Sequence, residues 1–258
     1  MKIYRAIKNN VRSQRFGESR SCVKFNSSGQ VIRPFDVITK TTFTCPIGYV
    51  DFYSEVLRMK GHNGEDWATY YGDPIYFNIE ANTRWWARTE VDPDGGVGLD
   101  VISVDPIPFT REELPKEMTT HSLSYWENQD GKLHIMARFW HLKDVNLSGK
   151  PLVQVGTFAD GMPQMKPEIK FGDLIAFADN TGASSGNHLH FATKFVAKNG
   201  MTIGNDNGYT GAVDLTKFFE NSFVGDKITV EERAMSAIDY AKEVIRLVEA
   251  YILSRKGR

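Results

Sequence analysis

Residues Gly182–Phe191 read GASSGNHLHF, a run of small and polar residues closing on His188-Leu189-His190-Phe191. Two of the chain's six histidines stand here, two positions apart. On a β-strand, residues i and i+2 face the same side, so both imidazoles project together while Leu189 turns to the opposite face. The segment therefore reads as a strand entered through a turn. Two meanings stay open for the histidines. They alternate on a surface or core strand, or they form one wall of a metal site whose other wall lies elsewhere. Alone, the pair is a weak signal.

Outward from this segment, the middle of the chain has the same character. Pro74–Ile79, Arg84–Arg88, Val97–Ile102, Leu133–Trp140 and Leu174–Phe177 are short and rich in β-branched and aromatic residues. Asp94-Gly95-Gly96, Asp130-Gly131 and Asp179-Asn180-Thr181-Gly182 punctuate them as turns. Several short strands at this spacing predict a mainly β fold, an antiparallel sheet or small sandwich. Between Pro106 and Asn128 the pattern breaks into a long excursion, with a short helical turn expected near Thr110–Pro115. Such an insertion either walls a binding groove or is a passive surface loop.

The end of the chain changes period. Thr229-Val230-Glu231-Glu232 has capping-box spacing, and Ala234, Ile238, Ala241, Ile245, Val248 and Ile252 follow at steps of three and four. Arg255, Lys256 and Arg258 suit a helix C-terminus. A long amphipathic C-terminal α-helix is predicted, either packed on its own domain or serving as an oligomer or attachment surface.

Composition bounds the function. A chain of 258 residues, 41% hydrophobic and 12% aromatic, is a folded soluble protein of one large domain or two small ones. A net charge of −1 supplies no global basic field, so no nucleic-acid partner is expected. Lys2, Arg5, Lys8, Arg12, Arg15, Arg20 and Lys24 nonetheless crowd the first 24 positions against Glu18. That is a solvated segment or a contact for an anionic polymer such as a bacterial wall. Cys22 and Cys45 are the only cysteines, too few for a cysteine-rich zinc site and enough for one optional disulfide. The opening MKIYRAIKNN lacks an apolar signal core and no run of 18 apolar residues occurs, so neither signal peptide nor membrane span is expected.

Two further segments carry side chains of metal chemistry. In Gly61-His62-Asn63-Gly64-Glu65-Asp66-Trp67 the glycines and Asn-Gly argue for a tight loop that brings His62 and Asp66 together. Imidazole nitrogen and carboxylate oxygen are ordinary zinc ligands, although taken alone the stretch is better read as a turn with Asn-Gly at its corner and Asp66 as a cap. Glu65 points elsewhere, and no H-E-x-x-H arrangement is present. In Phe139-Trp140-His141-Leu142, His141 ends an apolar strand, as a satisfied core histidine also would. His121 and His134 have nothing around them that points to a site.

Taken together, GHNGED, FWHL and NTGASSGNHLHF resemble the lysostaphin-type zinc metallopeptidases, which cut peptide bonds in bacterial peptidoglycan. Gly72-Asp73-Pro74-Ile75-Tyr76, Gly95-Gly96-Val97-Gly98 and Phe171-Gly172-Asp173-Leu174-Ile175 look similar as intervening landmarks, so the resemblance covers roughly residues 45 to 197 in order. Arg15-Phe16-Gly17-Glu18 resembles the short element that opens that fold. Asn187 stands where the family usually has proline.

The resemblance implies one Zn2+ per chain, with His62, Asp66 and His190 as protein ligands and a water at the open fourth position. It implies His188 and His141 as the flanking catalytic histidines, one taking a proton from that water and the other stabilising the charged intermediate or protonating the leaving amine. The base role is assigned to His188 and the stabilising role to His141, although the sequence does not separate the two. Asn187 and Ser185 are candidates to line the groove or brace the ligands. The domains expected are a basic segment over 1–45, packed on or preceding the core, and a zinc peptidase core over 46–204 with its insertion at about 106–128. A C-terminal extension over 205–258 ends in the long helix. The implied substrate is a peptidoglycan cross-link or stem peptide, at the bacterial cell wall. An endolysin or virion-borne wall hydrolase, delivered by phage lysis or particle, fits the expected lack of a signal peptide. The alternative is a non-catalytic wall-binding or structural module of the same fold.

Overall fold

The computed structural model describes residues 1–18, 22–27, 31–32, 45, 47–93, 95–182, 184 and 186–227. The helix expected after Thr229, and Arg20, Asp94 and Ser185, lie outside them. Alternating apolar and polar side chains build a nine-stranded antiparallel sheet. Its strands are β1 (Arg12–Gln14), β2 (Glu65–Ala68), β3 (Trp85–Val91), β4 (Val97–Ser103), β5 (Ile107–Pro108), β6 (Lys132–Trp140), β7 (Leu152–Thr157), β8 (Pro163–Ile169) and β9 (His188–Val196). Across the sheet they run β7-β8-β3-β4-β6-β9-β2-β1, with β5 paired to β6 off that path.

The period of two decides the faces. Trp67 on β2, Trp85 and Ala87 on β3, Leu99 and Val101 on β4, Ile135 and Phe139 on β6, and Leu189, Phe191 and Phe195 on β9 are buried in one core cluster. Across that core lies a three-stranded sheet of Pro74–Tyr76, Leu174–Ala178 and Leu142–Val145, which adds Ile75, Ile175, Ala176, Ala178 and Leu142. Two sheets over a shared core make a sandwich, as expected from the strand spacing. The opposite parity, with Asp66, His188 and His190, points to the outer face of the large sheet.

The segment Pro74–Ile79, expected as one strand, is split. Phe77 N donates to Asp173 O at 2.8 Å, and Tyr4 N donates to Asn78 O at 2.9 Å. The chain thereby passes from the small sheet to Ile79–Glu80, which pairs with Lys2–Arg5; that strand also pairs in parallel with Phe219–Phe223. The insertion carries the expected helical turn at Arg111–Glu113 and a helix absent from the sequence reading, α1 (Thr120–Asn128). Thr119 caps it, its side chain accepting from Ser122 N. Cys22 and Cys45 form a disulfide. No described helix is long and apolar enough to cross a membrane.

Candidate metal centre

The first candidate ligand segment is held by the start of the chain. His62 N donates to Glu18 O at 2.9 Å, and Gly17 N donates to His62 O at 2.8 Å. Gly61 lies so close that a β-carbon there would fall 2.9 Å from Gly17 O, which is why the approach needs glycine. His62 Nδ1 stands 3.3 Å from Arg15 O, a contact that orients the ring and turns Nε2 inward. Three residues on, the chain enters β2, where alternation sends Glu65 inward and Asp66 to the outer face. Glu65 is buried and pairs with Arg12 Nε at 3.0 Å, while the Arg12 guanidinium lies 4.6 Å over Trp67. At least this basic residue of the N-terminal segment is therefore tied to the sheet.

β9 runs antiparallel beside β2, with His190 opposite Asp66 and His188 opposite Ala68. This register closes a triangle of donor atoms. His62 Nε2 is 3.0 Å from His190 Nδ1, His190 Nδ1 is 2.9 Å from Asp66 Oδ1, and Asp66 Oδ1 is 3.2 Å from His62 Nε2. Ligands bound tetrahedrally to zinc at about 2.0–2.2 Å stand roughly 3.3 Å apart. The residues fit that ion with little adjustment. Among the described residues this is the one group of three or more His, Cys, Asp or Glu side chains that could hold a metal.

His188 and His141 stand beside the triangle with ring centroids 4.5 Å apart. His188 Nε2 is 3.6 Å from Asp66 Oδ2, and its Nδ1 is 2.8 Å from Gly186 O. His141 follows the last residue of β6 in a left-handed backbone conformation, φ +64°. Its Nδ1 donates to Thr181 O at 2.7 Å, so its neutral form presents Nε2 as an acceptor.

Burial pushes the Asp66 carboxyl up, but the charge of His62 and the His190 hydrogen bond override it and hold the group far below the usual carboxylate range. Burial draws His62 toward the neutral form; the Asp66 carboxylate outweighs that and raises its pKa. His190 is lowered by burial, which Asp66 only partly offsets. His141 is pushed down to about 4 by burial and then by His188. The site thus holds an ionised carboxylate and a neutral His190, both ready to ligate. A divalent cation bound there would compete with protonation of His62.

All five histidine and aspartate candidates come together from segments up to 128 residues apart. Asn187 is exposed, and its carbonyl accepts from Thr69 N at 3.3 Å. His121 is exposed on α1, and His134 is buried with Nδ1 3.0 Å from Ser103 O, away from the site. Sequence reasoning missed three supports. Thr181 holds His141 by its carbonyl and Leu142 O by its hydroxyl, and Ser184 Oγ stands 3.2 Å from His188 Nδ1. Gly64 leaves the space the His190 ring occupies, since a β-carbon there would lie 2.7 Å from Cε1.

No protein-family model and no curated protein matches the sequence. Solved structures similar to the chain include a zinc-containing peptidase from Vibrio cholerae, 17% identical, with a TM-score of 0.33 over 76% of this chain and 37% of that one. This chain thus spans little more than a third of that peptidase. A second is the catalytic domain of the antimicrobial peptidase lysostaphin from Staphylococcus simulans, 15% identical, with a TM-score of 0.28 over 57% of this chain and 78% of that one. A third is a variant of the catalytic domain of the prophage-encoded protein EnpA from Enterococcus faecalis, 14% identical, with a TM-score of 0.31 over 76% of this chain and 88% of that one.

Proposed function

We propose that the chain is a zinc-dependent endopeptidase that hydrolyses peptide bonds in bacterial peptidoglycan. The observation that carries the reading is the triangle of His62 Nε2, Asp66 Oδ1 and His190 Nδ1, its edges 2.9–3.2 Å. Two non-ligand imidazoles stand beside it, and the three motifs involved resemble those of the lysostaphin-type peptidases in order and spacing. Bound zinc supplies a Lewis acid that polarises a carbonyl and makes water acidic.

The remaining chemistry belongs to the side chains. His188, anchored through Nδ1 at Gly186 O, offers Nε2 to take a proton from the attacking water. His141, locked on Thr181 O and neutral at pH 7, has its ring centroid 4.5 Å from that of His188. A proton that His188 has taken from the water and passed to His141 Nε2 would let His141 stabilise the negative charge of the intermediate. A module that only binds the wall has no use for two imidazoles poised in this way beside three ligands.

The test is incubation of the zinc-loaded chain with purified peptidoglycan of several wall types, followed by mass spectrometry of the muropeptides. Fragments that have gained one water, abolished by a chelator, are expected, with about one zinc per chain by elemental analysis. Unchanged muropeptides from every wall type would overturn hydrolysis and favour the binding module. His188→Ala is expected to keep its zinc and lose about 10²–10⁴-fold in kcat. Full turnover in that variant would remove His188 from the role of base.

A further inference from the structure

The register of the large sheet continues the metal centre into a second constellation on the same outer face. One cross-strand row holds Asp66, His190, Trp140, Gly98 and Glu90 in turn. Trp140 is thus the direct neighbour of His190. Its half-buried ring lies on Gly98, where a β-carbon would fall inside the ring. Without that glycine the indole would have to stand up from the sheet beside His190; with it, the ring lies flat as floor.

The next row holds Arg88, Asp100 and Arg138. Asp100 is fully buried and accepts from Arg138 Nε and Nη2 at 2.7 and 2.9 Å and from Arg88 Nη2 at 3.2 Å. Arg88 Nε also pairs with Glu90 at 2.9 Å. Lys194, one row further on, is buried with its ammonium on Thr210 O at 2.7 Å. Asp100 and Glu90 thus take up Arg138 and Arg88, and Lys194 adds a further positive charge one row on. Arg138, its side chain 26% exposed, stands 5.2 Å from the Trp140 ring centroid, and its Nη1 has no acceptor among the described residues.

We infer that Trp140 and Arg138 form a substrate subsite beside the metal centre for a carboxylate-bearing residue of the peptide to be cut. The peptide packs on the indole, and its carboxylate takes the unused Nη1 of Arg138. Asp100 spends its oxygens holding the guanidinium in place, so the ligand meets a pre-set donor. The inference rests on the peptidase reading for its substrate, and binding tests it separately from cleavage.

The experiment compares a soluble muropeptide carrying free carboxylates with the same muropeptide amidated by carbodiimide and methylamine. Both are offered to the zinc-loaded full chain, to Trp140→Ala, Trp140→Phe, Gly98→Ala and Arg138→Gln, with kcat/KM from mass spectrometry and Kd from calorimetry. Amidation is expected to weaken the wild-type protein about tenfold or more, the scale of one charge-assisted hydrogen bond. Arg138→Gln is expected to lose the discrimination, Trp140→Ala and Gly98→Ala to lose affinity for both peptides, and Trp140→Phe to retain most of it. Should Arg138→Gln fail to fold, the wild-type discrimination and the Trp140 pair still decide. Cleavage or binding indifferent to amidation would overturn the subsite. Carboxylate-dependent binding without cleavage would uphold the subsite and remove the peptidase reading. Neither binding nor cleavage would overturn both.

Discussion

At the scale of single residues, the site depends on what glycine leaves out. Gly64 sits between the two candidate ligands of its own segment, and a β-carbon there would lie 2.7 Å from His190 Cε1 and 2.7 Å from Phe191 O. The ring could swing away, but the backbone carbonyl belongs to the pairing of β2 with β9 and cannot. Gly64→Ala is therefore expected to cost about 1–3 kcal/mol of stability from overpacking. It should also weaken zinc by roughly 10–100-fold, the usual effect of disturbing what supports a ligand. Competition with a chromophoric chelator measures the second effect and urea unfolding the first; unchanged affinity would show that the ring does not need this space. In the sequence Gly64 reads only as the corner of an Asn-Gly turn. Its role follows from the ring of a residue 126 positions later, which no local pattern announces. His188 and His190 were legible because their spacing alone puts them on one face of a strand. The carbonyls that hold His62, His141 and His188 were not, because every residue carries one.

At the scale of elements, alternation identified β4 and β6 as strands but did not tell which charges meet across them. That depends on register, which one sequence leaves free. In register, Asp100 faces Arg138 and Arg88, and Lys194 lies buried beyond them. Burial, and then the charge of Arg138, pushes Lys194 down to about 8 from an ordinary 10.5. The sign follows from proton counts: between those two values the unfolded chain binds the proton more tightly, so stability rises as pH climbs from about 8 to 10.5. Below that window the cost is present in full, on the order of 3 kcal/mol. Lys194→Met, which removes the charge and keeps much of the volume, is expected to be more stable than the wild type at pH 7.5. The difference should shrink or reverse by pH 10, where only the lost bond to Thr210 O distinguishes them. Urea midpoints at the two pH values test this. A gap independent of pH would mean that the lysine keeps its ordinary titration.

At the scale of the whole molecule, the sandwich was legible because short strands at regular spacing have few ways to bury one face each. The split of Pro74–Ile79 between two sheets and the helix α1 inside the insertion were not, since both answer to partners distant in the chain. The candidate metal centre ties such distant parts together. His62 sits on a loop clasped by residues 15–18, Asp66 on β2, and His190 on β9, 124 positions after Asp66. None of these groups is arranged for an ion in the unfolded chain, so binding free energy adds to folding free energy. With free zinc at about a thousand times its dissociation constant the gain is roughly 4 kcal/mol. For a chain of this size that corresponds to about 10 °C in Tm. Chelation is therefore expected to lower Tm by about that amount, and zinc to restore it. Asp66→Ala should melt at one temperature in both conditions, because it lacks a ligand to close the triangle. His188→Ala, which leaves the triangle intact, should keep the full shift. Equal shifts in wild type and Asp66→Ala would place the stabilising ion elsewhere, and loss of the shift in His188→Ala would make that histidine a ligand.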